Sequence, residues 1–179
     1  MRKLLNEELS RLTKEEFKSE KKLPLIIVMD NVRSHLNVGS VFRTADAFLV
    51  ESIYLCGITG VPPHRDIHKT ALGATETVEW KYFENTEMAV NNLIADEYVI
   101  LSVEQAENSV MLNEFVVDFD KKYAVVFGNE VDGVAQSVVN KSHQVIEIPQ
   151  FGMKHSLNIS VSAGIVIWDF FKKAKLTRQ

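Results

Sequence analysis

The stretch Leu25-Ile26-Ile27-Val28-Met29-Asp30-Asn31-Val32-Arg33-Ser34-His35-Leu36-Asn37-Val38-Gly39-Ser40 decides how the chain is read. Its first five residues form an unbroken apolar run, and polar residues and a glycine follow at once. An unbroken run, as opposed to an alternating one, marks a strand of a parallel sheet covered on both faces. A helical pattern then runs over Val38–Leu49. The same alternation recurs along the chain. Further strands are expected at Ser52–Gly57, Thr77–Phe83, Tyr98–Glu104, Tyr123–Gly128 and Gln144–Pro149. Further helices are expected at Thr86–Asp96, Gly133–Asn140 and Ser156–Ala174. This order predicts a single α/β domain, a parallel sheet with helices on both faces.

The composition agrees with that reading. A chain of 179 residues with 46% apolar and 25% charged content can bury one core of ordinary size without staples. The single cysteine, Cys56, has no internal disulfide partner and sits in an apolar run, so it reads as a small core residue. That fits a reducing compartment, and a cytoplasmic location is expected. No secretory leader is read at the start, where charged residues follow Arg2 and Lys3. The longest apolar runs, Leu25 to Met29 and Ile165 to Trp168, are too short to span a bilayer.

Ahead of the first strand, Leu4, Leu5, Leu9, Leu12 and Phe17 recur at near-helical spacing. They predict an amphipathic helix that ends by Pro24, which divides the chain into an extension (1–22) and a main domain (23–179). The segment Ile58 to Thr70, with Gly60, Pro62, Pro63, His64, Arg65 and His68, is expected to be a mobile surface loop suited to recognition.

Several chemistries are disfavoured. There is no GxGxxG dinucleotide cradle, no GxxxxGK[ST] phosphate loop and no GxSxG nucleophile elbow. His64 and His68 stand four apart without an acidic cluster nearby, which reads as loop surface, and no metal is expected. The net charge of −4 rules out a uniformly attractive surface for nucleic acid. Cations are instead concentrated locally. Arg2, Lys3, Arg11, Lys14 and Lys18 lie near the start, interleaved with five glutamates, and Lys172, Lys173, Lys175 and Arg178 lie near the end.

In open α/β sheets, ligands bind beyond the carboxyl ends of the strands. Three such junctions collect the polar and glycine residues. The first is Asn31-Val32-Arg33-Ser34…Asn37-Val38-Gly39-Ser40-Val41-Phe42-Arg43-Thr44-Ala45-Asp46-Ala47-Phe48. The second is Phe127-Gly128-Asn129-Glu130-Val131-Asp132-Gly133. The third is Ile148-Pro149-Gln150-Phe151-Gly152…Ser156-Leu157-Asn158-Ile159-Ser160-Val161-Ser162-Ala163-Gly164.

Taken together and in order, these junctions resemble the three motifs of the SpoU (TrmH-type) family of RNA methyltransferases, in the SPOUT superfamily. The resemblance runs from about Leu25 to the end. It departs in detail at Val50, where many relatives carry glycine, and at Gln150, where methionine is frequent. It implies an α/β fold whose C-terminal segment forms a trefoil knot, and S-adenosylmethionine as cofactor. It also implies a homodimer with the site completed near the subunit interface. The implied reaction is methylation of an RNA ribose 2′-oxygen, on tRNA first (a D-loop guanosine is the candidate target) or on ribosomal RNA. A base methyltransferase and a non-catalytic RNA-binding module of the same fold are the alternatives.

The resemblance also implies roles for single residues, each with a plainer reading beside it. Arg43 would act on the ribose hydroxyl; by spacing alone it could pair with Asp46 three residues on. A guanidinium stays protonated, so holding phosphate and polarising the hydroxyl suits it better than general-base work. Asn31 would orient Arg43 or the ribose, or else close a turn. Glu130 is structural or catalytic. Ser156 and Asn158 would face the active site, or else cap the final helix. Gly128, Asn129, Gly133, Ile148 and Leu157 would hold the cofactor largely through backbone groups, with Leu101, Ser102 and Val103 as the other wall. Asn37, Gly39 and Ser40 read as helix-shaping residues. For RNA, the basic residues Arg11, Arg33, Arg65, Lys69 and Lys154 are the candidates.

Overall fold

A computed structural model describes residues 1–9, 11–153 and 156–176. Seven strands form one sheet: β1 (Leu23–Asp30), β2 (Val50–Cys56), β3 (Glu79–Phe83), β4 (Tyr98–Val103), β5 (Val110–Met111), β6 (Lys122–Phe127) and β7 (Gln144–Glu147). Every registered pair is parallel, in the order β3-β2-β1-β6-β4-β7-β5. The apolar runs behave as their composition requires. Along β1, Leu25, Ile27 and Met29 enter one core layer while Ile26 and Val28 enter the other.

Helices cover both faces. On the first lie α2 (His35–Ala47), α3 (Arg65–Ala71) and α6 (Ile159–Phe171), supplying Phe42, Ile67 and Phe170 among others. On the second lie α4 (Thr86–Ala95) and the single-turn α5 (Gln136–Val139), supplying Leu93 and Val138. A short α1 (Lys14–Ser19) precedes the sheet and a π-helical turn (Lys172–Leu176) follows α6. Cys56 is fully buried, and that burial pushes its thiol up to about 12, consistent with a packing role.

Two expectations need correction. Leu4, Leu5, Leu9 and Leu12 do not form one amphipathic helix: Asn6–Glu8 is a 3-10 turn, and all four leucines are exposed. Only Phe17, on α1, reaches the core. The segment from Ile58 to Thr70 is not a free loop, because most of α3 lies within it. The His64 side chain caps α3 and Ile67 is fully buried. A Cβ on Gly39 would lie 2.3 Å from the Ile67 carbonyl oxygen, so glycine is what lets α2 and α3 approach so closely. The two-residue β5 was not expected at all. The other strands and helices match within a few residues at each end.

The topology locates a site. From β1 the chain proceeds outward to β2 and β3, whereas β6, β4, β7 and β5 fill the other side. Between β1 and β6 the winding reverses, and ligands of open α/β sheets bind near such a reversal, beyond the carboxyl ends of the strands.

Candidate active site

A cleft of about 520 Å³ opens beyond β6, β4 and β7, walled by Val103, Gly128, Glu130, Ile148, Leu157 and Asn158 among others. Its floor is the turn after β6. Asn129 and Gly133 exchange backbone hydrogen bonds of 3.2 Å in each direction. The Asn129 side-chain oxygen accepts from the amides of Val131 and Asp132 at 2.9 Å each. Gly133 takes φ +69°, a left-handed conformation that favours glycine. A Cβ on Gly128 would sit 1.9 Å from the Gly133 carbonyl carbon, so the turn folds against that bare position.

Two carboxylates pin this floor. Glu104, just after β4, accepts from the Val134 amide at 2.7 Å. Asp30, 1% exposed at the end of β1, accepts from the Ala135 amide at 2.9 Å and from the Asn31 side chain at 2.8 Å. Buried carboxylates persist where backbone amides satisfy them, and here that requirement fixes the turn relative to β1 and β4.

One polar chain joins all three junctions. The Asn37 side-chain amide donates to Glu130 Oε1 at 3.1 Å, and Asn158 Nδ2 donates to Asn37 Oδ1 at 3.2 Å. Asn158 Oδ1 in turn accepts from Ser160 N at 2.9 Å and Ser160 Oγ at 2.7 Å, capping α6. Asn158 is therefore both a cap and a link. Ser156 is exposed on the cleft wall.

Other expected residues lie elsewhere. Leu101 and Ser102 are fully buried inside the sheet and do not line the cleft. Leu101 packs in the first core layer, and Ser102 Oγ lies 2.7 Å from Ser142 Oγ. Only Val103, at the open end of β4, reaches the cleft. Asn31 makes a turn at φ +55°, accepting from the Ile58 amide at 3.2 Å, and is not in the cleft wall. Arg43 is exposed on α2, outside the wall, and makes no hydrogen bond or ion pair with another described residue. Asp46, its candidate partner, accepts instead from Thr77 Oγ1 at 2.5 Å. Arg11, Arg33, Arg65 and Lys69 are exposed and likewise unpaired among the described residues. Lys154 lies outside the described residues.

Three contributors to the site are not singled out by motifs in the sequence. Sequence alone marks Asn37 as helix-shaping only, although it is the central link. By sequence Glu104 is a strand end and Glu147 a residue inside a strand, yet both line the cleft. Their positions at carboxyl ends of strands were the available signal.

Known proteins resemble this chain in sequence and fold. A model of the SpoU rRNA methylase family matches residues 24–168. A tRNA (guanosine(18)-2′-O)-methyltransferase of Aquifex aeolicus is 30% identical over 170 residues, covering 93% of this chain and 76% of the relative. A Staphylococcus saprophyticus protein, provisionally named a TrmH family tRNA/rRNA methyltransferase, is 30% identical over 156 residues. The chain spans only 61% of that relative's length. Among solved structures, a TrmH/SpoU tRNA modifying enzyme of A. aeolicus superposes with a TM-score of 0.79 at 27% identity, covering 91% of this chain and 81% of the other. An AdoMet-bound rRNA methyltransferase of Sinorhizobium meliloti gives 0.78 at 24% identity, over 92% and 60%, and so shares the fold. With its motifs joined on one cleft and a family model matched across most of its length, the chain belongs to the SpoU methylase family.

Proposed function

We propose that this protein transfers a methyl group from S-adenosylmethionine to a ribose 2′-oxygen of RNA, with tRNA as the first substrate class. The observation that carries the reading is the Glu130–Asn37–Asn158 chain, which ties the three junctions to one cleft. The cofactor suits that cleft. Ile148 and Leu157 offer an apolar slot for an adenine ring, and the turn after β6 brings backbone close to the wall. The Glu104, Glu130 and Glu147 carboxylates suit a cationic ligand. When bound, S-adenosylmethionine supplies an already activated methyl group, so the protein's residues need mainly to bind and align.

Arg43 has the chemistry for the RNA side of the reaction. Its guanidinium stays protonated and offers a planar fork for a phosphate and a neighbouring hydroxyl. It is exposed and takes no part in the cleft wall of a single chain, so we infer that a second copy completes the site. An exposed apolar stripe on α6, formed by Val161, Ile165 and Trp168, supports a homodimer. We infer the knot as well. The chain passes from β6 across β4 to β7, then returns to α2, where Asn158 meets Asn37.

The choice of tRNA rests on the A. aeolicus relative, whose name specifies tRNA and which matches nearly the whole chain. Ribosomal RNA is the second reading, favoured by the name of the S. meliloti neighbour. The test is to incubate the protein with methyl-labelled cofactor and unmodified tRNA or ribosomal RNA, then digest with alkali. Alkaline cleavage uses the 2′-oxygen, so ribose methylation leaves the label in resistant dinucleotides. Label released only in mononucleotides would show base methylation and refute the proposal. Arg43→Ala is expected to lower turnover on the order of a hundredfold while cofactor affinity holds. Arg43→Lys should recover little of it. Near-normal turnover by the alanine variant would remove Arg43 from the chemistry.

A further inference from the structure

A second cavity, about 590 Å³, lies away from the cleft against α3 and the edge strand β3. Its wall combines flat rings (His64, His68, Trp80), an apolar side chain (Ile67), the guanidinium of Arg65 and the carboxylate of Glu76. Trp80 is half-buried, packed on the core from one side. Arg65 has no partner among the described residues. Glu76 does have one: Lys14 of α1 is bonded to it, which offsets the one carboxylate of the cavity wall. Asp66 adds a second carboxylate nearby on α3, against the exposed cations Arg33, Arg65 and Lys69.

A chain of side-chain contacts runs from this cavity toward the cleft. The His64 ring stacks on His35 with centroids 3.8 Å apart and planes 10° from parallel. His35 opens α2, and Asn37, two residues on, holds Glu130 at the cleft. At about 1.5 Å of rise per residue, those two positions lie within one turn. A Cβ on Gly60 would fall 2.2 Å from the His35 ring, so the backbone after β2 closes directly over the stack.

We propose that this cavity is a subsite for an unpaired nucleotide of the substrate RNA. The base would stack on Trp80 and the backbone would be gripped by Arg65. The inference rests on the RNA reading given above and adds a place where the strand is read outside the reacting nucleotide. An aromatic face beside an unpaired cation is how proteins hold single-stranded nucleic acid, because every base presents a π-face. In a chain with net charge −4, such a local cation cluster gives a phosphate chain a path that the rest of the surface does not.

The experiment uses hexauridylate, a single strand with little stacking of its own, added to the full-length protein without cofactor. Tryptophan emission should be quenched on binding, and the quenching should vanish in Trp80→Phe. Arg65→Ala, a surface change that threatens no packing, should weaken binding about tenfold and flatten its salt dependence by about one unit of slope. Affinity for S-adenosylmethionine, measured by calorimetry, should be unchanged in both variants. Undiminished quenching in Trp80→Phe, or unchanged affinity in Arg65→Ala, would overturn the subsite. Because these readings need no methyl transfer, failure of the alkali-digestion test would count against the enzyme reading alone.

Discussion

A methyl group on Gly128 would lie 1.9 Å from the carbonyl carbon of Gly133 and 2.1 Å from the amide nitrogen of Val134. Both are backbone atoms, so neither can swing aside as a side-chain tip would. The turn would have to shift by more than an ångström, breaking its bonds to Glu104 and Asp30. Gly128→Ala is therefore expected to lower S-adenosylmethionine affinity at least tenfold by calorimetry. The overpacking should cost about 1–3 kcal/mol of stability. Retained affinity would mean that this turn is not the cofactor floor. The residue scale is also where the sequence hid most. Asn37 stands 93 residues from Glu130 and 121 from Asn158, and no local pattern announces contacts at that separation. Ser102 shows the converse: it sits near the open end of a strand, yet alternation turns its side chain toward Ser142 inside the protein.

At the scale of elements, unbroken apolar runs located most strands within two residues, because burial on both faces leaves little freedom in composition. The features that failed were those with few buried positions. Only Ile67 and Ala71 of α3 are buried, and two prolines precede it, so it reads as loop. Two-residue β5 exists only through its register with β7. The final helix carries the opposite lesson, since its mean composition is apolar on nearly every side. Ile159, Ala163, Val166, Ile167 and Phe170 are buried in the core. Val161, Ile165 and Trp168 remain 49%, 37% and 45% exposed, with Leu157 at 39% just before the helix. Within the helix, Val161, Ile165 and Trp168 stand four and three residues apart, the spacing of a helical stripe seeking a second surface. In a two-fold dimer each such position meets the partner's copy of the same patch. Val161→Glu should then bury facing carboxylates and shift the protein from dimer to monomer in sedimentation, with little change in the melting of the single-chain fold. A dimer that persists unaltered would place the interface elsewhere.

For the whole molecule, the proposed function asks how a chain of net charge −4 would hold a polyanion. Many of its cations are already engaged. Arg2 is bonded to Glu8, Lys141 to Glu87, and Lys173 to Asp169 and the carbonyl oxygens of Leu112 and Phe115. Among the described residues, the unpaired cations Arg33, Arg65 and Lys69, with Arg43 further along α2, lie around the first turn of α2 and on α3. The start of the chain looks basic in a simple count, but residues 1–9 carry Arg2 and Lys3 against Glu7 and Glu8, a balance of zero. Their leucines are exposed and contribute nothing to the core. Each phosphate contact adds about one unit to the slope of binding against salt. Deleting residues 1–9 should therefore leave both the RNA salt slope and cofactor affinity unchanged. Replacing Arg33, Arg65 and Lys69 by alanine together should lower the slope by about three. A truncated protein whose slope falls by a full unit or more would show that the N-terminal segment, despite its balance, reaches the RNA.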